Sequence, residues 1–258
     1  MRDIFIQGIQ FDEKSSFQRG ARLAPPLIRE ALFGGSSNLY AENLVSIDQP
    51  NLVDQGDFTL IDYLAIERIA EEHLNTGAKL LTLGGDHSIT YPLLKAHHKL
   101  HPEIAILHID AHCDLYDEFE GDPYSHACPF ARIMEGGYAQ RLVQVGIRTL
   151  NPHQAEQAKK FGVEMHQMKE WEGVPKLHFD RPVYISLDMD GFDPAYAPGV
   201  SHHEPGGLTT REVIRLIQQI DAEVIGADIV EYNPERDVQQ MTAYLAAKMM
   251  KEILVKMM

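Results

Sequence analysis

The sequence predicts an α/β protein built around a parallel β-sheet. Short apolar runs recur along the chain, and longer segments with helical periodicity separate them. Tight connections rich in glycine and proline follow several of these runs, which is where α/β proteins place their functional sites. The predicted strands are residues 4–9, 80–83, 104–110, 142–147, 183–190 and 224–230.

Four segments have the clearest helical pattern, namely residues 59–74, 151–162, 209–220 and 241–258. Asn151 before a proline, and Thr209 three residues before Glu212, are typical helix starts, because a side-chain oxygen there can accept hydrogen bonds from free backbone N–H groups. The methionine-rich last helix is interpreted as packing in the core or between subunits. The segment from residue 23 is read as loop, helix and loop.

The chain of 258 residues is 44% hydrophobic and 24% charged, which is typical of a globular protein with a sizeable core. We expect one domain over residues 1–258, since no repeat or long linker interrupts it. The formal net charge of −15 argues against nucleic acid as a partner. It would suit metal dications and a cationic substrate, although acidic excess can also serve solubility alone.

The cellular setting is predicted from the cysteines and from apolar runs. Cys113 and Cys128 cannot form a disulfide framework, so a reducing compartment is expected. The first residues do not read as a secretory leader, and no apolar run approaches the roughly 18 residues of a membrane helix. We therefore expect a cytoplasmic protein that has no membrane partner.

Ionisable residues follow the predicted strand at 104–110, in the segment ILHIDAHCDLYDEF. Asp110, His112 and Asp114 would point to one side if the extended conformation continued to Asp114. Such neighbouring positions lie about 7 Å apart, so two carboxylates can reach opposite sides of one metal ion. Cys113 would face away and is interpreted as a small packing residue.

Two further strand ends deliver similar groups. Asp188 and Asp190 end the strand in YISLDMDGFDP, and His87 follows two glycines in LLTLGGDHSIT. If these strand ends meet, each close pair of carboxylates repels by about 4 kcal/mol at about 4 Å and an effective dielectric of about 20. Two dications would neutralise the four carboxylates, with His87 and His112 giving each ion one imidazole.

These ligands fit Mn²⁺ better than structural zinc or Mg²⁺, with iron, cobalt and nickel as alternatives. Two ions about 3.5–4 Å apart would hold a bridging water and lower its pKa, which indicates hydrolysis. A single Asp or His at a strand end is usually a cap or a solvated group. The coincidence of DxHxD with DxD after a second apolar run is what predicts metal.

With these motifs, the chain resembles the ureohydrolase family, which includes arginase, agmatinase and formiminoglutamase. The matching segments are GGDHS at 84–88, DAHCD at 110–114, SLDMDGFDP at 186–194 and GADIVEYNPERD from 226. The segments YSHACPFARIMEGGYAQRLVQVGIRTL and APGVSHHEPGGLTTREV resemble plant-type arginases and their agmatinase-like relatives more than animal-type arginases.

The resemblance implies a three-layer α/β/α fold with a twisted, mostly parallel sheet of about eight strands. It also implies a homo-oligomer, commonly a trimer or hexamer, and a centre of two Mn²⁺ ions. The implied metal ligands are His87, Asp110, His112, Asp114, Asp188 and Asp190.

The resemblance gives catalytic roles to one of these ligands and to two further residues. Asp114 would also orient the attacking water, His126 would shuttle a proton, and Glu231 would receive the guanidinium group. Chemistry supports the last two roles, because a departing amine needs a proton and a carboxylate binds a planar cation through paired hydrogen bonds.

The substrate is expected to be a small cationic guanidino compound, L-arginine first and agmatine second. The acidic loop DLYDEFEGDPY favours a cationic tail and disfavours a glutamate-like substrate. Asn151 and His202 stand where animal-type arginases carry other rim residues, and we take both as candidate substrate contacts. A deacetylase-like enzyme with one zinc, and a non-catalytic metal-binding relative, are alternatives that a metal count and urea release would separate.

Overall fold

One eight-stranded sheet organises the structure, a computed structural model that describes residues 2–258. The strand order is β2-β1-β3-β8-β7-β4-β5-β6, and every neighbouring pair is parallel. This confirms the predicted α/β class and its parallel sheet. The strands are β1 Ile4–Gln10, β2 Leu52–Thr59, β3 Lys79–Leu83, β4 Ala105–Ile109, β5 Arg141–Ile147, β6 Glu164–Gln167, β7 Val183–Asp188 and β8 Val224–Val230.

Helices cover both faces of the sheet. They are α1 Ala24–Phe33, α2 Ala65–Leu74, α3 Thr90–Leu100, α4 Pro129–Glu135, α5 Pro152–Phe161, α6 Thr210–Gln218 and α7 Met241–Met257. Side chains alternate along β4, so that Leu107 packs in one hydrophobic cluster with α1, α6 and α7. Ile106 packs on the opposite face, in a cluster that includes residues of α3, α4 and α5. The apolar runs are therefore buried on both sides, as expected of central parallel strands.

The sequence prediction missed elements at the margins of the sheet. The edge strand β2 is mostly exposed and mostly polar, and the opposite edge strand β6 is only half-buried, so neither has the apolar run of a central strand. The helix predicted from residue 59 was wrong at its start, because Thr59 ends β2 and α2 begins at Ala65. The predictions also omitted α3 and α4.

Two predicted helix starts are confirmed. The hydroxyl oxygen of Thr209 accepts a hydrogen bond from the backbone N–H of Glu212 (3.2 Å), and the Glu212 carboxylate accepts one from the backbone N–H of Thr209 (2.8 Å). This reciprocal pair is a capping box. Asn151 caps α5 by accepting a hydrogen bond from the backbone N–H of Gln154 (2.9 Å).

The chain order brings four strand ends together at the centre of the sheet. β3 lies beside β1 in the sheet. β8 and β7 lie between β3 and β4, although both follow β4 in the sequence. The carboxyl ends of β3, β8, β7 and β4 are therefore neighbours, at the edge where α/β proteins bind ligands. Across residues 2–258, no helix has the length and apolar character needed to cross a membrane.

Candidate metal centre

A sharp turn after β3 places His87. Gly85 packs so tightly that an added Cβ atom would lie 1.6 Å from the carbonyl oxygen of Phe11, so only glycine fits. Asp86 then begins a short 3-10 turn, in which its Oδ1 accepts a hydrogen bond from the backbone N–H of Ser88 (3.1 Å). The imidazole of His87 is thereby held, almost fully buried, at the carboxyl edge of the sheet.

Three carboxylates surround one nitrogen of His87. The ring Nδ1 atom lies 3.1 Å from an Oδ2 atom of each of Asp110, Asp114 and Asp188. None of these contacts has the geometry of a hydrogen bond, and Nδ1 is buried with no hydrogen-bond partner among the described residues. A buried nitrogen that faces three carboxylates without bonding to any of them is arranged like a ligand of a shared cation.

A second group of potential ligands lies beside the first and shares Asp110 with it. The Nδ1 atom of His112 lies 3.1 Å from Oδ2 of Asp190 and 3.5 Å from Oδ1 of Asp110. Asp110 thus turns Oδ2 toward His87 and Oδ1 toward His112. The structure therefore brings all six predicted ligands together, with Asp110 positioned between two candidate cation sites.

The backbone leaves the strand conformation before it delivers these groups. β4 ends one residue before Asp110, and Asp114 has a φ of 48°, in the left-handed region. The expectation that an extended strand continues to Asp114 is therefore wrong. The bend folds the Asp114 carboxylate back toward His87, which a straight strand would not do. Asp190 likewise lies in a 3-10 turn, where its backbone N–H donates to Oδ1 of Asp188 (2.7 Å).

Hydrogen bonds on the far side of the His87 ring fix its tautomer. Nε2 lies 2.9 Å from the hydroxyl oxygen of Ser186, and that hydroxyl donates to Oδ1 of Asp228 (2.7 Å). Because Ser186 gives its only proton to Asp228, it accepts one from Nε2–H of His87. The neutral ring therefore presents the lone pair of Nδ1 to the three carboxylates, as a metal ligand must.

The charges at this centre favour an added cation. Burial raises the pKa of Asp188 well above its usual value, and the charges of Asp190 and Asp110 raise it further. Burial lowers the pKa of His87, but the surrounding carboxylates outweigh burial and raise that pKa well above its usual value. Positive charge between these groups is thus stabilised, and metal dications can supply more of it than one proton.

His126 and Glu231 form a buried pair next to these ligands. Nδ1 of His126 lies 2.8 Å from Oε1 of Glu231, and Nε2 lies 2.8 Å from the hydroxyl oxygen of Ser16. Burial lowers the pKa of His126, but the charge of Glu231 outweighs it and raises the pKa to about 9. The backbone N–H of Ser16 has the opposite effect, because it donates to Nε2 (3.1 Å) and so favours the neutral ring.

The hydroxyl of Ser16 suits either protonation state of His126. It can donate to Nε2 of the neutral ring or accept from Nε2–H of the charged ring. The Ser16 hydroxyl can therefore stay paired with Nε2 whether or not Nε2 carries a proton.

One oxygen of Glu231 is free for a ligand. Oε1 accepts hydrogen bonds from His126 and from the backbone N–H of His87 (2.9 Å). Among the described residues, no hydrogen-bond donor contacts Oε2. Glu231 has a φ of 62°, and its backbone N–H donates to the carbonyl oxygen of Gly85 (2.9 Å). Its carboxylate lines the pocket described next.

A pocket of about 240 Å³ opens onto both ligand groups and onto the His126–Glu231 pair. Its wall also includes the side chains of Tyr116, Phe119, Thr149 and Gln154, and no lysine or arginine belongs to the lining. Anionic groups thus dominate the metal side of the pocket, and neutral groups form the rest of the wall.

The two predicted rim contacts differ in their relation to the pocket. His202 lines the pocket, with its ring centroid 5.8 Å from that of His112 and 5.4 Å from that of His126. Asn151 is not part of the lining, because its Oδ1 caps α5 and its amide nitrogen donates to the hydroxyl of Tyr116. A direct substrate contact for Asn151 stays a prediction.

The acidic loop contributes less charge to the pocket than its sequence indicates. Asp117 pairs with His153 (3.0 Å) and Asp122 pairs with Lys14 (2.7 Å), and neither acid lines the pocket. Asp114 is the loop's only acidic residue in the lining. The loop gives the pocket mainly aromatic surface, so its acids favour a cationic tail less than expected.

The sequence contained a signal for some residues that the predictions missed. Ser186 and His108 stand two positions before the candidate ligands Asp188 and Asp110, on the same face of β7 and β4. Ser186 contacts His87, and His108 contacts Asp110. Extending the period-two pattern backward would have found them. No comparable signal marks Ser16, which reaches His126 from a remote loop.

A parallel α/β sheet with two histidine–carboxylate groups beside one pocket at its carboxyl edge defines a metal-binding α/β protein with a small-molecule site. The model of the Arginase family matches residues 2–256, and the chain belongs to this family. The family is metal-dependent, and the chain is accordingly a metal-dependent amidinohydrolase.

Similar proteins include plant arginases and bacterial agmatinases. The chain is 44% identical to "Arginase 1, mitochondrial" of Arabidopsis thaliana, over 97% of this chain and 80% of the relative. It is 33% identical to an agmatinase of Bacillus anthracis, over 98% of this chain and 91% of the relative. The arginase structure from Medicago truncatula superposes with a TM-score of 0.91 at 40% identity, covering 99% of this chain and 87% of the other.

Proposed function

We propose that the chain is an arginase that hydrolyses L-arginine to L-ornithine and urea with two Mn²⁺ ions. The observation that carries this proposal is that Asp110 faces both His87 and His112, next to the pocket that Glu231 lines. The 44% identity with a plant arginase supports arginine as the substrate, and the 33% identity with an agmatinase makes agmatine the second candidate.

The donor set favours manganese. His87 and His112 give each ion one imidazole, and the other predicted ligands are carboxylates, a mixture that suits Mn²⁺. Around His87, three oxygens lie 3.1 Å from the ring nitrogen. These four atoms would suit one shared cation, and their mixture of imidazole and carboxylate groups favours Mn²⁺.

The pocket residues account for the remaining steps of guanidinium hydrolysis. When bound, the two ions would supply Lewis acidity and lower the pKa of an attacking water. Oε2 of Glu231 would accept hydrogen bonds from the planar guanidinium and orient its carbon. Asp114 would hold the attacking water by a hydrogen bond. His126 would give a proton to the departing amine and regain one at Nε2, next to the Ser16 hydroxyl.

The strand order supports a position for the substrate tail opposite Glu231. Glu231 follows β8 and Gln154 follows β5, with β7 and β4 between them, so the two side chains enter the pocket from opposite sides. Gln154 is 4% exposed, and its side-chain amide makes no hydrogen bond with any described residue. A buried amide without a partner in the pocket wall is suited to an α-carboxylate, which arginine has and agmatine lacks.

Gln154→Leu is expected to lower kcat/KM for L-arginine by about 10–100-fold, because a hydrogen bond to a charged group contributes about 1.5–3 kcal/mol. The value for agmatine should change by less than about 2-fold, since agmatine has no carboxylate for the amide to bind. Urea release with each substrate measures both values. Gln157→Leu is the matched control, because Gln157 is also buried on α5 but does not line the pocket. Equal losses for the two substrates would refute the assignment.

The proposed reaction is tested by urea release from Mn²⁺-loaded protein, with L-arginine and agmatine at matched concentrations. We expect arginine to be preferred. A preference for agmatine would make agmatine the substrate and would leave the proposed metal centre unchanged. Failure to release urea from either substrate, with two ions bound, would refute the proposed activity.

Location and assembly are two further proposals. We retain the sequence-based proposals of a cytoplasmic protein and of a homo-oligomer, a trimer or a hexamer. The Arabidopsis and Medicago relatives carry the word mitochondrial in their names, so fractionation of the native cell is the appropriate test of location. Sedimentation of the purified chain tests assembly.

A further inference from the structure

We propose that His108 is a positioning residue that holds Asp110 between the two candidate cation sites, and that Gln144 fixes the tautomer that lets it do so. This inference rests on the proposed metal centre and goes beyond it. His108 has the position of a possible metal ligand, because it groups with His87, Asp110 and Asp114. Its hydrogen bonds assign it the other role.

His108 contacts the shared carboxylate directly. Its Nε2 atom lies 2.7 Å from Oδ2 of Asp110, the oxygen that faces His87. The backbone N–H of His112 donates to the other oxygen of Asp110 (2.6 Å). Each carboxylate oxygen of Asp110 thus has one hydrogen bond on one side and one candidate cation site on the other, which sets the orientation of the carboxylate.

Gln144 determines which nitrogen of His108 carries the proton. Its amide nitrogen lies 2.7 Å from the carbonyl oxygen of Cys113 and 3.0 Å from Nδ1 of His108. The carbonyl oxygen of Cys113 can only accept, so the Gln144 atom that faces it must be the amide NH₂ group. The second hydrogen of that group then points at Nδ1, which must supply a lone pair.

The proton of the neutral His108 ring is therefore on Nε2, where it points at Asp110. A metal ligand would need a lone pair on Nε2, and this tautomer has none there. The hydrogen-bonded chain from the Cys113 carbonyl through Gln144 and His108 to Asp110 is thus directed toward the metal centre. A ring that donates to a ligating carboxylate orients that carboxylate without joining the coordination sphere.

Packing restricts the His108 ring to this orientation. The ring is fully buried and stacks on Phe130, with centroids 3.9 Å apart and planes inclined by 28°. The His87 ring packs against it edge-on, at a centroid distance of 5.0 Å. Rotation of His108 away from Asp110 would disturb both contacts, so the hydrogen bond is prepared before any metal binds.

Titration of the metal-free full chain with Mn²⁺ by calorimetry tests this assignment. We expect His108→Phe and Gln144→Met each to bind two ions, with the affinity for at least one ion lowered by about 10–100-fold. The double variant should be no weaker than His108→Phe, because both substitutions break the same chain of hydrogen bonds. His108→Gln should recover most of the affinity, since its amide NH₂ group can take the place of Nε2–H.

His97→Phe is the matched control, because His97 is equally buried but has no hydrogen-bond partner among the described residues. Its manganese affinity should equal that of the unsubstituted chain. If His108→Phe bound a single ion while Gln144→Met bound two normally, His108 would be a ligand and the proposal wrong. Unchanged affinity in both variants would also overturn it.

Two controls distinguish loss of folding and loss of the proposed reaction from loss of metal affinity. Circular dichroism of each metal-free variant checks folding, and if His108→Phe fails to fold, the affinity of Gln144→Met decides alone. The readout does not depend on the substrate, so an unsubstituted chain that binds two Mn²⁺ ions without releasing urea would refute only the proposed reaction. An unsubstituted chain that bound no Mn²⁺ would refute the metal centre and this proposal together.

Discussion

Asp110→Ala is expected to remove both metal ions and to lower kcat by more than about 10³-fold, which corresponds to about 4 kcal/mol of lost transition-state stabilisation. The reason is geometric, because Oδ2 of Asp110 faces His87 and Oδ1 faces His112. No other residue belongs to both of the ligand groups. Metal content by atomic emission after dialysis, together with urea release, measures the two effects.

Asp110→Ala also leaves the Nε2–H group of His108 and the backbone N–H of His112 without their acceptor, at a cost of about 1–3 kcal/mol each. Asp110→Asn reduces the second effect, because its carbonyl oxygen keeps one of the two acceptors while the charge is removed. Asp190→Ala should weaken only the ion beside His112. A chain with Asp110→Ala that kept two tightly bound ions would show that the ligand assignment is wrong.

The central part of the fold could be predicted because its strands are buried on both faces. β4 and β7 consist of fully buried residues, and a run of apolar residues bounded by turns is the expected signal of such strands. The edge strands gave no such signal. β2 reads LVDQGDFT and pairs only with β1, so its burial and its pattern are those of a surface segment. Its identity as a strand depends on a partner that is distant in sequence.

The grouping of the six candidate metal ligands could be predicted for a related reason. Parallel strands bring their carboxyl ends to one edge, so charged residues that end several apolar runs must lie near one another. The conformation at those ends could not be predicted. Asp114 reaches His87 through a left-handed residue in a bend, and alternation along a strand carries no information about a bend. The six residues were predicted from a partly wrong conformation.

Residues that reach the pocket from remote loops were beyond the sequence argument. Ser16 contacts His126 because Asp86 anchors the preceding residues, through hydrogen bonds from the backbone N–H of Lys14 (3.0 Å) and the hydroxyl of Ser15 (3.3 Å). Asp86 belongs to the motif GGDHS and was not assigned a role. In the structure it holds a loop about 70 residues away in sequence against the wall of the candidate site, which no local pattern indicates.

His126→Asn is expected to retain both metal ions and to lower kcat by about 10²–10⁴-fold, the usual contribution of a positioned proton donor. His126 contacts Glu231 and Ser16 but belongs to neither ligand group, so metal content should not change. The amide nitrogen of Asn can take the place of Nδ1 and still donate to Glu231. The guanidinium contact of Glu231 should therefore persist, and KM for L-arginine should change much less than kcat.

His178→Asn is the control for this substitution, because His178 is exposed and pairs with Asp221 on the surface. It should leave both kinetic constants unchanged. Full kcat in His126→Asn would show that the leaving amine takes its proton from another donor. Loss of an ion would instead place His126 among the ligands. Two observations argue against that role, namely the free lone pair on Nδ1 of His87 and the direct contact of His126 with Glu231. A large loss of kcat with intact metals and nearly constant KM is the pattern expected when a group that acts only in the transition state, such as a proton donor, is removed.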